Sequence, residues 1–176
     1  AGPSSDTDNE YALLNAIGEG TFSVVHKAVR RVDGAMVAVK RLKAHHMQSV
    51  RVRDEAGCLL ALAQKPNRHV VEIFDAILCA DGQVDLVMPY FQHEDFVRAL
   101  AAGRFTPNHI RQYMRGLFSA LAHIHEHDYV HRDIKPTNVL YSFAEERTLV
   151  VDFGLVQCVS AAAKAHHRDE APPQTR

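Results

Sequence analysis

Apolar and polar positions follow two different periods along this chain, and the change of period divides it. Tyr11 to Ile17, the run around Val24-Val25, and Ala35 to Lys40 carry apolar residues in short β-branched or alternating stretches, the signature of strands. Gly18-Glu19-Gly20 and Asp33-Gly34 separate them, so this part reads strand, glycine-rich turn, strand, tight turn, strand. Between about Ser49 and Ala63 the apolar positions Val52, Leu59, Leu60 and Leu62 predict a helix, closed by Lys65-Pro66-Asn67. Val70 to Cys79 and Val84 to Met88 then predict two strands around an Asp81-Gly82 turn. Glu94 to Ala102 predicts a short amphipathic helix ended by Gly103. Thr106-Pro107 is an N-cap followed by Pro at the first helical position. The helix it opens runs to about His127, with Ile110, Tyr113/Met114, Leu117/Phe118, Leu121 and Ile124 at three- and four-residue spacing. Val139-Leu140 and Leu149-Val150-Val151 frame a hairpin, and Leu155 to Cys158 is still strand-like. Residues 1–10 are polar and predict a disordered leader; residues 159–176 lose all periodicity and read as a low-complexity tail. The expected fold class is α+β in two lobes: a β-rich unit with one main helix over 11–88, a linker at 89–91, and the beginning of a helical unit over 92–158.

Composition narrows the classes. At 176 residues and 47% hydrophobic content, the chain can hold a sizeable core in one domain or two small lobes. Lys and Arg number 20 against 21 Asp and Glu, a net charge of -1, so no basic field advertises direct nucleic-acid or anionic-membrane binding. Cys58, Cys79 and Cys158 stand far apart without a C-x-x-C pair, which argues against a zinc ribbon or disulfide framework and favours a reducing compartment. No apolar run is long enough for a membrane span. The polar, acidic N-terminus is the opposite of a signal peptide, and the missing initiator Met predicts a fragment or a processed chain.

The chemistry sits in two loops. His131-Arg-Asp-Ile-Lys-Pro-Thr-Asn138 and Asp152-Phe153-Gly154 put carboxylates and an amide beside strongly apolar runs. Their spacing resembles the protein-kinase catalytic loop H-R-D-L-x-x-x-N, with Ile134 for Leu, and its D-F-G. Phosphoryl transfer needs divalent cations over the phosphate oxygens and an acceptor hydroxyl aimed in line. Hard Mg²⁺ takes oxygen ligands, so Asn138 and Asp152 are the candidate metal ligands. Asp133 would accept the hydroxyl proton and Lys135 would lie beside the transferring phosphate. Alone, D-F-G is a common turn and His-Arg-Asp a surface ion-pair cluster; together, at this spacing, they favour the chemistry.

Further signals fall in the matching order. Ile17-Gly18-Glu19-Gly20-Thr21-Phe22-Ser23, followed by Val25, resembles G-x-G-x-x-G-x-V with Ser23 in place of the third glycine. Glycines there let backbone N–H groups approach phosphates. Val37-Ala38-Val39-Lys40 resembles V-A-I-K, which places Lys40 at the α- and β-phosphates of ATP. Such a lysine needs a carboxylate, and Glu55 on the following helix is the choice, with Asp54 the alternative after a one-residue slip. In the linker, the Pro89 carbonyl and the Phe91 N–H would dock adenine, Met88 would back the pocket, and Val25, Ala38 and Leu140 would sandwich the ring. His123, His125 and His127 invite a metal reading, but only the outer two share a helix face and no acid completes the set.

Taken together the chain resembles a eukaryotic-type protein kinase from about Tyr11 to Gln157, and Lys135 resembles the serine/threonine branch. Gly18 to Ser23, Met88-Pro-Tyr90 with His93-Glu94, His131 to Tyr141, and Val151 to Leu155 with Gln157 are similar to the cell-division-cycle-seven kinases, the catalytic subunits of the DDK type. That resemblance implies a nuclear enzyme using ATP and Mg²⁺, acting on MCM helicase subunits in replication initiation and activated by a regulatory subunit of the Dbf-four type. The pattern departs after D-F-G, where an activation loop and A-P-E are expected. The Ala/His/Pro-rich tail resembles the start of a kinase insert. A truncated product is therefore expected, its long helix short of apolar cover and Arg132 without a mate. Two alternatives stand beside it: a catalytically silent module docking nucleotide or a regulatory subunit, and a kinase of the casein-kinase neighbourhood.

Overall fold

The computed structural model describes residues 6–20, 23–42, 50–79 and 83–159. Strands β1 (Tyr11–Glu19), β2 (Ser23–Arg30), β3 (Met36–Leu42), β4 (Asp75–Leu78) and β5 (Val84–Pro89) form one antiparallel sheet in the order β1-β2-β3-β5-β4. Side chains alternate across a strand, so β3 serves two surfaces. Val37 and Val39 are fully buried with Tyr11, Ala28 and Val87 on one side, while Ala38 and Lys40 face a cleft on the other. Register completes that cleft wall, since Val25 pairs with Lys40 and Met88 with Ala38.

Helix α2 (Val50–Leu62) turns Cys58, Leu59 and Leu62 into the larger core. Helix α3 (Phe96–Ala101) is capped by Asp95, and α4 (Pro107–Glu126) by Thr106, whose hydroxyl accepts from the His109 N–H while the His109 ring accepts from the Thr106 N–H. Leu117, Ala120 and Ile124 of α4 pack against the hairpin of β7 (Val139–Ser142) and β8 (Arg147–Val150). Contact with β8 is close at Gly116, where a Cβ would meet Thr148 Cβ at 2.6 Å. Elsewhere on α4, Ile110 is 50% and Phe118 60% exposed among the described residues.

One apolar core runs from α2 through Met88 and Phe91 to α4 and the hairpin. Within it, residues 69–71 join β8: the Val150 N–H donates to the His69 carbonyl at 2.8 Å, and the Val71 N–H to the Val150 carbonyl at 3.0 Å.

Two expectations need correction. Residues 6–10 are not a disordered leader but a short helix, α1 (Asp6–Glu10), with Thr7 fully buried and its hydroxyl 3.5 Å from Cys79 Sγ. The Arg31 N–H holds its end on the Glu10 carbonyl at 2.8 Å. The expected strand over 70–79 shrinks to β4, because Val70 and Val71 pair with Val150 and leave the first sheet unextended. Residues 1–5 of the leader, Thr21 and Phe22, the Asp81-Gly82 turn and the tail over 160–176 lie outside the described residues.

Candidate active site

The two lobes meet at a cleft of about 410 Å³ lined by Ile17, Gly18, Glu19, Gly20, Ser23, Val25, Ala38, Lys40, Glu55, Met88, Pro89, Phe91, Lys135, Asn138, Leu140 and Asp152 among others. The glycine turn at its rim closes through Gly20 N–H on the Ser23 carbonyl at 2.9 Å. At its back, Lys40 Nζ donates to Glu55 Oε1 at 2.5 Å and to Asp152 Oδ1 at 2.8 Å. Glu55, one turn before Leu59 on the buried face of α2, takes the pairing, and Asp54 is exposed. Burial by itself would pull the Lys40 pKa down, but Glu55 and Asp152 outweigh it and the net shift is upward. Asp152 is shifted the other way: burial would raise it, and the Lys40 ammonium draws it below its ordinary value. Its backbone is left-handed, φ 64°, which swings the carboxylate towards Lys40.

On the facing side the catalytic-loop sequence is folded around His131. This ring is buried against Phe153, with centroids 4.8 Å apart. Its Nε2–H donates to the Val151 carbonyl at 3.0 Å and its Nδ1 accepts from the Asp133 N–H at 3.3 Å, so both contacts require the neutral tautomer. Burial lowers the His131 pKa in agreement. Asp133 Oδ2 receives Lys135 Nζ at 2.7 Å and Asn138 Nδ2 at 2.9 Å. The Asn138 amide also donates to the Asp133 carbonyl at 2.9 Å, and the Asn138 backbone carbonyl accepts from the Val151 N–H at 3.0 Å. With Nδ2 committed to two acceptors, Oδ1 of Asn138 is the oxygen left for a ligand. That amide oxygen and the Asp152 carboxylate border one cleft, and two oxygen donors of this kind fit a hard divalent cation.

The linker follows β5. Pro89 has no N–H; the Tyr90 N–H donates to the Met36 carbonyl at 3.4 Å, and His93 Nδ1 lies 3.0 Å from the Phe91 carbonyl. Asp133 is not itself among the lining residues, but its carboxylate is bonded to Lys135 and Asn138, which are. Tyr90, His93, Thr137 and Phe153 also line the cleft without having been singled out. Thr137 could have been found from its place between Lys135 and Asn138; His93 gave no chemical signal of its own. Arg132, expected to lack a mate, donates from Nε to the Leu155 carbonyl at 2.7 Å and from Nη1 to Gln157 Oε1 at 2.8 Å. Sequence reasoning missed this because both acceptors are uncharged. Among the described residues no group of three His, Cys, Asp or Glu could hold a metal. His123 and His127 do share a face, with rings 4.4 Å apart, but His127 Nδ1 is occupied by the His123 carbonyl at 2.8 Å.

Comparison with known proteins decides the family, since residues 11–172 match the model of the protein kinase domain. The chain belongs to the protein kinases. Among similar kinases, the probable serine/threonine-protein kinase cdc7 of Dictyostelium discoideum is 37% identical over 88% of this chain and 15% of its own length. The non-specific serine/threonine protein kinase Cdc7 of Drosophila melanogaster is 37% identical over 90% of this chain and 23% of its own. The human cell division cycle 7-related protein kinase is 34% identical over 85% and 25%. This kinase chain is thus Cdc7-like, and it spans a quarter or less of the length of these three relatives. As in other protein kinases, a β-rich lobe and a partly helical one face each other across the cleft.

Proposed function

We propose that this chain carries the ATP site and catalytic loop of a serine/threonine protein kinase with a Cdc7-like role in replication initiation and the cell cycle. One observation carries the reading: Lys40, Glu55 and Asp152 form a charge cluster at the back of the same cleft that Lys135 and Asn138 line, with Asp133 held between those two. In this reading the backbone at Gly18, Glu19, Gly20 and Ser23 covers the phosphates and Lys40 holds the α- and β-phosphates. Val25, Ala38 and Leu140 pack the adenine, Met88 lies behind it, and the Pro89 carbonyl and Phe91 N–H meet its polar edge. Asn138 Oδ1 and the Asp152 carboxylate would hold Mg²⁺, which when bound neutralises charge on the phosphate oxygens. Asp133 takes the proton of the acceptor hydroxyl on a carboxylate oriented by Asn138, and Lys135 offsets negative charge beside it. The likeness to Cdc7 kinases supports MCM helicase subunits as substrates, a Dbf-four-type activating subunit and a nuclear location.

Mg·ATP binding and phosphotransfer to a Ser/Thr peptide test this directly. Asp133→Asn is expected to bind Mg·ATP within about twofold of the wild type and to lose about 10²- to 10⁴-fold in transfer rate. Undiminished transfer by that variant refutes the assignment of the base. The exposed apolar side chains of α4, Ile110 and Phe118, favour a second reading, a nucleotide-binding module whose transfer requires a covering partner. Binding of Mg·ATP without turnover by the wild-type chain would support it.

A further inference from the structure

Residues 155–159 are laced to the start of the catalytic loop by a set of bonds that the phosphoryl-transfer reading does not use. Strand β6 (Tyr129–Val130) pairs with β9 (Gln157–Cys158), with Tyr129 opposite Cys158 and Val130 opposite Gln157. The Val159 N–H donates to the Asp128 carbonyl at 2.8 Å. Two residues after Val130, Arg132 adopts a left-handed backbone, φ 63°, a conformation disfavoured for a residue with a Cβ unless its surroundings hold it. Its guanidinium forks over this ribbon, Nε to the Leu155 carbonyl and Nη1 to Gln157 Oε1. Arginine offers donors only, so the amide of Gln157 must present its oxygen. The residue after Arg132 is Asp133, and the ribbon it grips begins one residue after Gly154.

We infer that Gln157 is a positioning residue: by taking the Arg132 guanidinium it fixes the loop bearing Asp133 against the segment bearing Asp152. The inference rests on the kinase reading for its consequence in catalysis, and on the hydrogen bonds alone for its structural content. An uncharged acceptor suffices here because the guanidinium supplies the charge, and charge-assisted bonds are the stronger kind. Both side chains are exposed, so water competes for each and the effect of losing the contact is moderate. It acts on chemistry more than on nucleotide binding, because the Lys40–Glu55 contact lies in the other lobe.

The test compares Gln157→Leu, which keeps bulk and removes the acceptor, with Gln157→Asn, which withdraws it by one methylene, and Gln157→Glu, which retains it. Leu and Asn variants are expected to lower kcat about fivefold with the Kd for Mg·ATP within about twofold, and the Glu variant to recover wild-type kcat. In parallel, the Arg132 Nη1–H resonance is expected to exchange slowly with solvent in the wild type and the Glu variant, and at least about fivefold faster in the other two. Should the Leu variant fail to fold, the Asn variant carries the comparison. Equal Nη1–H exchange in wild type and Asn variant overturns the inference, as does a kcat unchanged by both substitutions. A wild-type chain that binds no Mg·ATP while the exchange series behaves as stated would instead overturn the kinase reading and leave the clasp standing.

Discussion

Exchanging Glu55 for Leu removes one of two carboxylates from Lys40, which is 6% exposed, and leaves Asp152 at 2.8 Å. Stranding a buried charge by deleting its partner costs about 3–5 kcal/mol. Because Asp152 remains, the expected loss for Glu55→Leu falls below that range, at about 2 kcal/mol. Lys40→Met is more severe, since Glu55 at 3% exposure is then buried without a cation; about 4 kcal/mol is expected. The double variant removes the buried cation and the buried anion together. Asp152, with 44% of its side chain exposed, can then turn to water. Apolar replacement of a buried pair is close to neutral, so the double variant should cost about 1–2 kcal/mol, against about 6 if the two losses simply added. For a chain of this size each kcal/mol moves Tm by about 2–4 °C, so the single variants should melt about 6 and 12 °C low and the double variant about 5 °C low. Calorimetric melting of the four proteins measures the cycle. Losses that add to within about 0.5 kcal/mol would show that Lys40 and Glu55 do not interact as a buried pair, and the geometry at the back of the cleft would have to be abandoned.

Gly116→Ala drives a methyl to 2.6 Å from Thr148 Cβ and 2.9 Å from His69 Nδ1, so it should cost about 1–3 kcal/mol by overpacking; an unchanged urea midpoint would contradict the α4–β8 contact. His131 is held neutral by burial, so between its depressed folded pKa and the unfolded value of about 6.5 the unfolded chain binds more protons than the folded one. Its contribution is therefore complete above that unfolded value and lost as the pH falls, and His131→Gln should flatten this part of a stability profile taken from pH 5 to 7.5. Burial pushes the Cys58 thiol up to about 12, so at pH 8 it should resist alkylation in the folded chain and react fully once urea unfolds it; labelling in the folded state would refute the packing of α2.

What could be read from the sequence depended on how local the cause was. Glu55 was legible because Leu59 and Leu62 lie four and seven residues on, which puts the acid on the same buried face, although Leu60 turned out 55% exposed. The loop at 131–138 was legible because the hydrogen bonds that join Asp133 to His131, Lys135 and Asn138 close within eight residues. Thr7 was not, since nothing in Asp-Thr-Asp-Asn-Glu announces burial and the cover comes from Cys79, 72 residues away. Val70 and Val71 carry ordinary strand propensity; their partner is Val150, and only tertiary contact could reveal it. The mate of Arg132 escaped for a related reason, since a search for an anion passes over an amide and a carbonyl.

The stitching of residues 69–71 to Val150 has a mechanical consequence. Along its back the cleft is spanned by backbone at two places, there and at the chain passing from Pro89 to Phe91. A body fastened at two points keeps one easy freedom, rotation about the line through them. Opening is thereby a swing like that of a door on two pins, and the Lys40–Asp152 contact at 2.8 Å is the latch it must part.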